Sequence, residues 1–241
     1  MSRSDDRAPA AHGAPEVRAE IRIRRTDGSR SVFSVDAGEY TTILDALEEI
    51  RTVHDRSLLY RHSCHHGSCG TCGVIANGER VLACTTRITS DEPLDLDPLA
   101  PFPVIGDLAV DATPLYADFP TDASYLRDSD ARPNATDPVA PEEVGRFTRF
   151  ENCIECGICV SVCPVVRPFK GPAALAAYGR EIEKRPDREA ELLAEIDAPD
   201  GVAGCDRALN CSAACPLGVY PAKHIAVLKR KIDARRADYS P

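Results

Sequence analysis

ENCIECGICVSVCPV, residues 151–165, places cysteines at 153, 156, 159 and 163 and follows the last with Pro164. Further along, CDRALNCSAACP (205–216) carries the same spacing. Offsets of three, six and ten from Cys205 land on Ala208, Cys211 and Cys215, with Pro216 next. The second run therefore matches the first everywhere except Ala208.

The pattern C-x2-C-x2-C-x3-C-P is that of two-cluster bacterial ferredoxins, in which the fourth cysteine of each run ligates the other cluster. Under that rule Cys153, Cys156, Cys159 and Cys215 form a complete four-thiolate set, suited to [4Fe–4S]. Cys163, Cys205 and Cys211 form a set one ligand short, suited to [3Fe–4S]. Structural zinc is the competing reading, but the i, i+3, i+6 spacing ending in Cys-Pro is a poor match to paired C-x2-C knuckles.

Upstream, SCHHGSCGTCGVIANGERVLAC holds Cys64, Cys69, Cys72 and Cys84 in the spacing C-x4-C-x2-C-x11-C, a plant-type [2Fe–2S] arrangement. Gly67, Gly70 and Gly73 permit the tight curvature that aims backbone N–H groups at sulfur. Asn77-Gly78 is a hairpin signal that returns Cys84 to the loop. Zinc and a partial Rieske-like set through His66 are weaker alternatives, since four cysteines already suffice. The three sets use four, four and three thiols and so account for all eleven cysteines.

Bulk properties agree with a metal-holding chain in a reducing compartment. Of 241 residues, 5% are aromatic and none is Trp. The net charge of −9 argues against nucleic acid as a partner. Residues 1–16 carry no apolar run for export and read as a disordered tail. No stretch approaches the ~20 apolar residues that span a bilayer. No catalytic nucleophile, acid–base pair or dinucleotide fingerprint is evident. Substrate chemistry is therefore expected elsewhere, with this chain linking a donor to an acceptor.

The expected fold class is α+β. Residues 17–100 read as a small mixed domain. Val17, Ala19, Ile21 and Ile23 alternate onto one face, and Asp27-Gly28 turns the chain into Val32–Val35. Thr42 and Asp45 resemble a capping box ahead of Ile43, Leu47 and Ile50 at helical spacing. Residues 101–145 are a Pro/Asp-rich connector, too long to be wholly structureless, with extended or short helical segments expected. Residues 146–241 read as an all-α domain, with helices over 173–196, interrupted at Pro186, and over 222–236. The latter helix is basic, which suggests either an ordinary solvated face or a seat near phospholipid or an acidic partner.

The order of these motifs, with FPVIGDLAVDATPLY (102–116) between them, resembles the iron–sulfur subunit of succinate dehydrogenase and fumarate reductase. The resemblance covers nearly the whole chain after residue 16. It implies a β-grasp ferredoxin domain followed by a bacterial-ferredoxin-like helical domain. It also implies a flavoprotein partner oxidising succinate, and electrons passing from FAD through [2Fe–2S], [4Fe–4S] and [3Fe–4S] to quinone. A membrane-anchor partner follows too, with a peripheral position on the cytoplasmic face of the cell membrane. Two departures stand out. Many members carry a quinone-binding Trp just after the cysteine matching Cys163, where this chain has Pro164, Val165 and Val166. Those three are quinone candidates by position alone, with packing against the three-iron cluster as the alternative. Asp206 replaces a histidine that often follows the first cysteine of the second run. Fumarate reduction in the quinol-oxidising direction and a free-standing multi-cluster ferredoxin are the competing functions.

Overall fold

The computed structural model describes residues 17–121 and 152–238. The expected tail over 1–16 and most of the expected connector lie outside the described residues. Strand β1 (Val17–Arg24) and strand β2 (Arg30–Ala37) pair antiparallel, from Val17 opposite Ala37 to Arg24 opposite Arg30. The turn between them passes through Gly28 at φ +85, a conformation glycine adopts without a Cβ penalty. The alternating set Ala19, Ile21 and Ile23 is fully buried, so the period-two pattern does select the core face.

Helix α1 (Ile43–Glu49) crosses that face. Its start is the expected capping box: the Asp45 amide donates to Thr42 Oγ1 at 3.2 Å, and the Thr42 amide donates to Asp45 Oδ2 at 2.8 Å. Ile43, Leu44 and Leu47 bury, and the helix widens into one π-type turn over Ile50–His54. Strands β3 (Gly73–Ala76) and β4 (Glu79–Leu82) form the second hairpin. Asn77 and Gly78 at its turn both have positive φ, as a type I′ turn requires.

A fifth strand was not anticipated from sequence. β5 (Leu94–Pro98) inserts between the hairpins, parallel to β1 and antiparallel to β3, giving the order β2-β1-β5-β3-β4. Its two aspartates and flanking prolines look like connector. They are tolerated because Arg24 and Arg30 from β1 and β2 pair with Asp97 at 2.9 Å, and Arg30 reaches Asp95 at 3.3 Å.

The chain beyond residue 100 stays on the same core. Short strands β6 (Val104–Gly106) and β7 (Ala109–Val110) and a 3-10 turn over Thr113–Leu115 bring Phe102, Leu108, Val110, Leu115 and Phe119 into it. Asp107 pins this ribbon. Buried to 4% exposure, its carboxylate accepts from the Thr26 amide and hydroxyl, each at 3.0 Å, and from the Leu59 amide at 2.9 Å, with Arg25 at 3.4 Å.

The described C-terminal region is helical: α2 (Ile158–Ser161), α3 (Pro172–Lys184), α4 (Glu189–Ile196), α5 (Asn210–Ala213) and α6 (Pro221–Asp238). The break at Pro186 appears as a 3-10 turn, since proline removes a helical donor. Helix α3 has two apolar faces. Ala173, Ala174, Ala176 and Ala177 join the sheet core, while Leu175, Tyr178 and Ile182 form a second core with Leu192, Leu193, Ile196, Leu228 and Ile232. Three of the basic residues of α6 are spent on α4 and its end: Lys231 pairs with Glu189 at 2.7 Å, Arg235 donates to the Ala190 carbonyl, and Arg236 pairs with Asp197. Lys223, Lys229 and Arg230 remain exposed.

Candidate metal centres

The first cysteine loop leaves the core at Leu58 and returns at β3. Positive φ at His65, Gly67 and Gly70 folds it tightly. That curvature turns the His66 and Ser68 amides onto Cys64 Sγ, at 3.5 and 3.3 Å, while the Thr71 hydroxyl reaches Cys69 Sγ at 3.1 Å. Amides aimed at sulfur stabilise thiolate, and the Cys64 thiol is pulled down to about 5, chiefly by the His66 amide. Cys72 and Cys84 sit on the buried side, and burial pushes Cys72 up to about 12. Cys69 lies close enough to Cys64 to lower its pKa, and Cys69 and Cys84 both lie close enough to Cys72 to raise its own.

Glycine has a second use in this loop that its sequence position does not disclose. A Cβ on Gly70 would lie 2.2 Å from the Ile154 carbonyl oxygen and 3.0 Å from Cys156 backbone. The first loop is therefore in van der Waals contact with the backbone of the second cysteine run. Gly157 in the second run is equally tight, with no room for a Cβ beside the Phe102 ring at 2.6 Å. Tyr116 Oη donates to Glu155 at 2.8 Å across the same seam.

Beyond the seam, Cys153, Cys156, Cys159 and Cys215 line one apolar cavity with Leu115, Ala173, Ala176, Leu217 and Val219. Burial pushes Cys153 up to about 11 and Cys159 well above the usual thiol range. Backbone N–H groups of Glu155, Ile158 and Val219 donate to Cys153, Cys156 and Cys215 in turn, the last at 3.3 Å. Cys163, Cys205 and Cys211 line a separate cavity together with Ala208, Pro164 and Asp206. The Val165 amide faces Cys163, and the Ala222 amide donates to the Ser212 hydroxyl beside Cys211 at 3.0 Å.

The two runs share one backbone. Glu155 and Gly157 adopt positive φ in the first, and Arg207 and Leu209 do so at the matching positions of the second. Helices α2 and α5 then start at matching residues, each N-capped from the left-handed region. Ala208 stands where Cys156 stands, on the wall of the three-cysteine cavity.

Pro164, Val165 and Val166 divide. Pro164 and Val165 line the three-cysteine cavity. Val165 and Val166 also line a wider cleft of about 480 Å³, between Ala100–Phe102 and the start of α3. Val166 is 77% exposed. Arg167 bridges the cleft edge to Asp118 at 3.0 Å.

The chain is similar to two family models. Residues 18–117 match a 2Fe-2S iron-sulfur cluster binding domain, and residues 149–219 match a 4Fe-4S dicluster domain. Among curated proteins it is 36% identical over 188 residues to the fumarate reductase iron-sulfur subunit of Mycobacterium tuberculosis (strain CDC 1551 / Oshkosh), covering 75% of this chain and 76% of that protein. It is 34% identical over 196 residues to the mitochondrial succinate dehydrogenase [ubiquinone] iron-sulfur subunit 1 of Oryza sativa subsp. japonica, covering 78% and 70%. Among solved structures, a chain of the Mycobacterium smegmatis Sdh1 complex in the apo form superposes with TM-score 0.77 at 27% identity, covering 94% of this chain and 99% of that one. With its two matched domains and these relatives, the chain belongs to the family of succinate dehydrogenase and fumarate reductase iron–sulfur subunits.

Proposed function

We propose that the chain is the electron-transfer subunit of a succinate:quinone oxidoreductase. Cys64, Cys69, Cys72 and Cys84 hold [2Fe–2S]; Cys153, Cys156, Cys159 and Cys215 hold [4Fe–4S]; Cys163, Cys205 and Cys211 hold [3Fe–4S]. The observation that carries this reading is the seam at Gly70, which packs the first cysteine loop against the run that lines the second cavity. When bound, the clusters supply one-electron exchange between a flavin on one partner and quinone at another.

The donor chemistry fits those groups. Every set is thiol only, and each receives backbone N–H groups that offset the anionic charge of a thiolate-bound cluster. Buried thiols with raised pKa release their protons only when iron replaces them, so loading is coupled to deprotonation. The sheet order β2-β1-β5-β3-β4 with α1 across one face supports a β-grasp reading of the first domain. The cleft at Val165 and Val166, beside the three-cysteine cavity, supports quinone contact at those residues. Among the described residues no helix is long and apolar enough to cross a membrane. Membership of the family supports a peripheral seat on a membrane-anchor subunit at the cytoplasmic face, with a flavoprotein as the other partner. Relatives carry both succinate dehydrogenase and fumarate reductase names, and the same station order serves either direction.

The test is EPR at successive potentials on the membrane-purified complex, with succinate as reductant and fumarate as oxidant. Three cluster signals reduced by succinate, with a flavoprotein co-purifying, are expected. A monomeric, flavin-free carrier or a colourless zinc protein would refute the reading.

A further inference from the structure

Beside the first cysteine loop lies a group of side chains that the cluster sets leave unused. We propose that Glu48, His62 and His65 bind a divalent transition-metal ion of the zinc class. Glu48 is half-buried on α1, and the two histidines are exposed on the loop. His62 Nδ1 lies 3.1 Å from His65 Nε2 and 3.6 Å from Glu48 Oε1, and His65 Nε2 lies 3.4 Å from the same oxygen. An ion bound tetrahedrally at about 2.0–2.1 Å holds its ligand atoms about 3.3–3.4 Å apart. The three observed separations bracket that value, so the atoms already form one face of such a tetrahedron.

The residues are held there by the fold. Glu48 sits in the last turn of a helix fixed by its capping box. His65 adopts φ +63, and its ring stands edge-on to His62. The His62 ring packs on Tyr60, with centroids 5.2 Å apart, and Arg51 covers Tyr60 in turn. His66 does not belong to the set, because its ring contacts the Cys64 carbonyl. Two imidazoles with one carboxylate favour zinc, cobalt or nickel over magnesium or calcium, which prefer all-oxygen sites. Three protein ligands on an exposed face leave the remaining position to water. The bound ion would tie α1 to the loop and set a positive charge one residue from Cys64. Such a charge favours the reduced state of the cluster that loop is proposed to hold.

Zinc is the probe. Zn²⁺ is titrated calorimetrically into the purified, cluster-loaded complex, alongside the double variant His62→Asn/His65→Asn and the single variant Glu48→Gln. Wild type is expected to take up one more zinc per chain than the double variant. Glu48→Gln should bind that zinc at least ~10-fold more weakly, since removing even an outer-shell partner costs that much. Thiol-bound zinc is common to all three proteins, and equal iron content shows that all three are loaded. Should the double variant lose iron, Glu48→Gln, which lies outside the loop, decides the matter alone. Zinc should also raise the midpoint potential of the first cluster in wild type only. This second measurement rests on the proposed [2Fe–2S] ligands, whereas the zinc count does not. Equal zinc uptake and affinity in wild type and Glu48→Gln would overturn the site, leaving two imidazoles that share a proton.

Discussion

The cysteine runs at 153–163 and 205–215 fold to the same backbone, with left-handed residues and short helices at matching positions, yet they serve different cavities. The first run contributes three thiols to the four-cysteine cavity, and the second contributes two to the three-cysteine cavity. Each sends its last thiol across to the other. Two of the differences between them bear on ligation and backbone. Ala208 removes one donor without disturbing the fold, and Leu209 occupies a left-handed position that Gly157 fills in the first run. The backbone of such a run thus survives the loss of a ligand, and ligand number can change while the scaffold is kept.

Ala208→Cys attacks the comparison most directly. A fourth thiol on the wall of the three-cysteine cavity should convert [3Fe–4S] to [4Fe–4S], abolishing the oxidised three-iron EPR signal and lowering the potential. Iron should rise from roughly nine to roughly ten per chain. An unchanged three-iron signal would mean that position 208 does not face the cluster.

A second contrast sets the first loop against the first run. In iron-free protein at pH 7, Cys64, pulled down to about 5, is largely thiolate, whereas Cys153, pushed up to about 11, is almost wholly thiol. Iodoacetamide should therefore label Cys64 orders of magnitude faster, read by peptide mass spectrometry. The Cys64 rate should hold from pH 9 downward and fall only through about pH 5. The sign for stability is opposite at the two sites. The Cys64 contribution is present above pH 9 and lost as pH falls toward 5, and that of Cys153 is present below pH 9 and lost as pH rises toward 11.

Gly70→Ala should cost about 3 kcal/mol, from a left-handed alanine and overlap with the Ile154 carbonyl. Gly28→Ala is its control, because nothing lies within 4 Å of that Cβ and only the backbone term of about 1 kcal/mol remains. Denaturant unfolding of the loaded protein measures both, and equal losses would remove the seam from the account. The smallest effect separates the runs themselves. Leu209→Gly should stabilise by up to ~1 kcal/mol by relieving a left-handed leucine that is 59% exposed, whereas Gly157→Ala should destabilise against Phe102.

Much of this architecture was legible in the chain. Offsets of three, six and ten identified the repeated run and its missing tooth, and Thr42 with Asp45, Asp27-Gly28 and Asn77-Gly78 marked their elements through local hydrogen bonding and backbone sterics. Local signals failed at β5. Leu94-Asp-Leu-Asp-Pro is a strand only because β1 and β3 accept it as a partner and two arginines on neighbouring strands pair with its aspartates. The packing of Phe102–Phe119 onto the sheet core was equally hidden, since it rests on Asp107 accepting from residues 48 to 81 positions away.

Spacing by itself pointed to the repeated run and to the position where a fourth thiol is missing, because cysteines three residues apart lie within one turn of each other. Tertiary structure alone decided that Gly70 is a contact between two cysteine loops, that Val165 and Val166 open onto a cleft, and that Glu48 meets two histidines. Those facts depend on segments far apart in the chain being brought to a few ångströms by shared burial, and no local pattern carries that information.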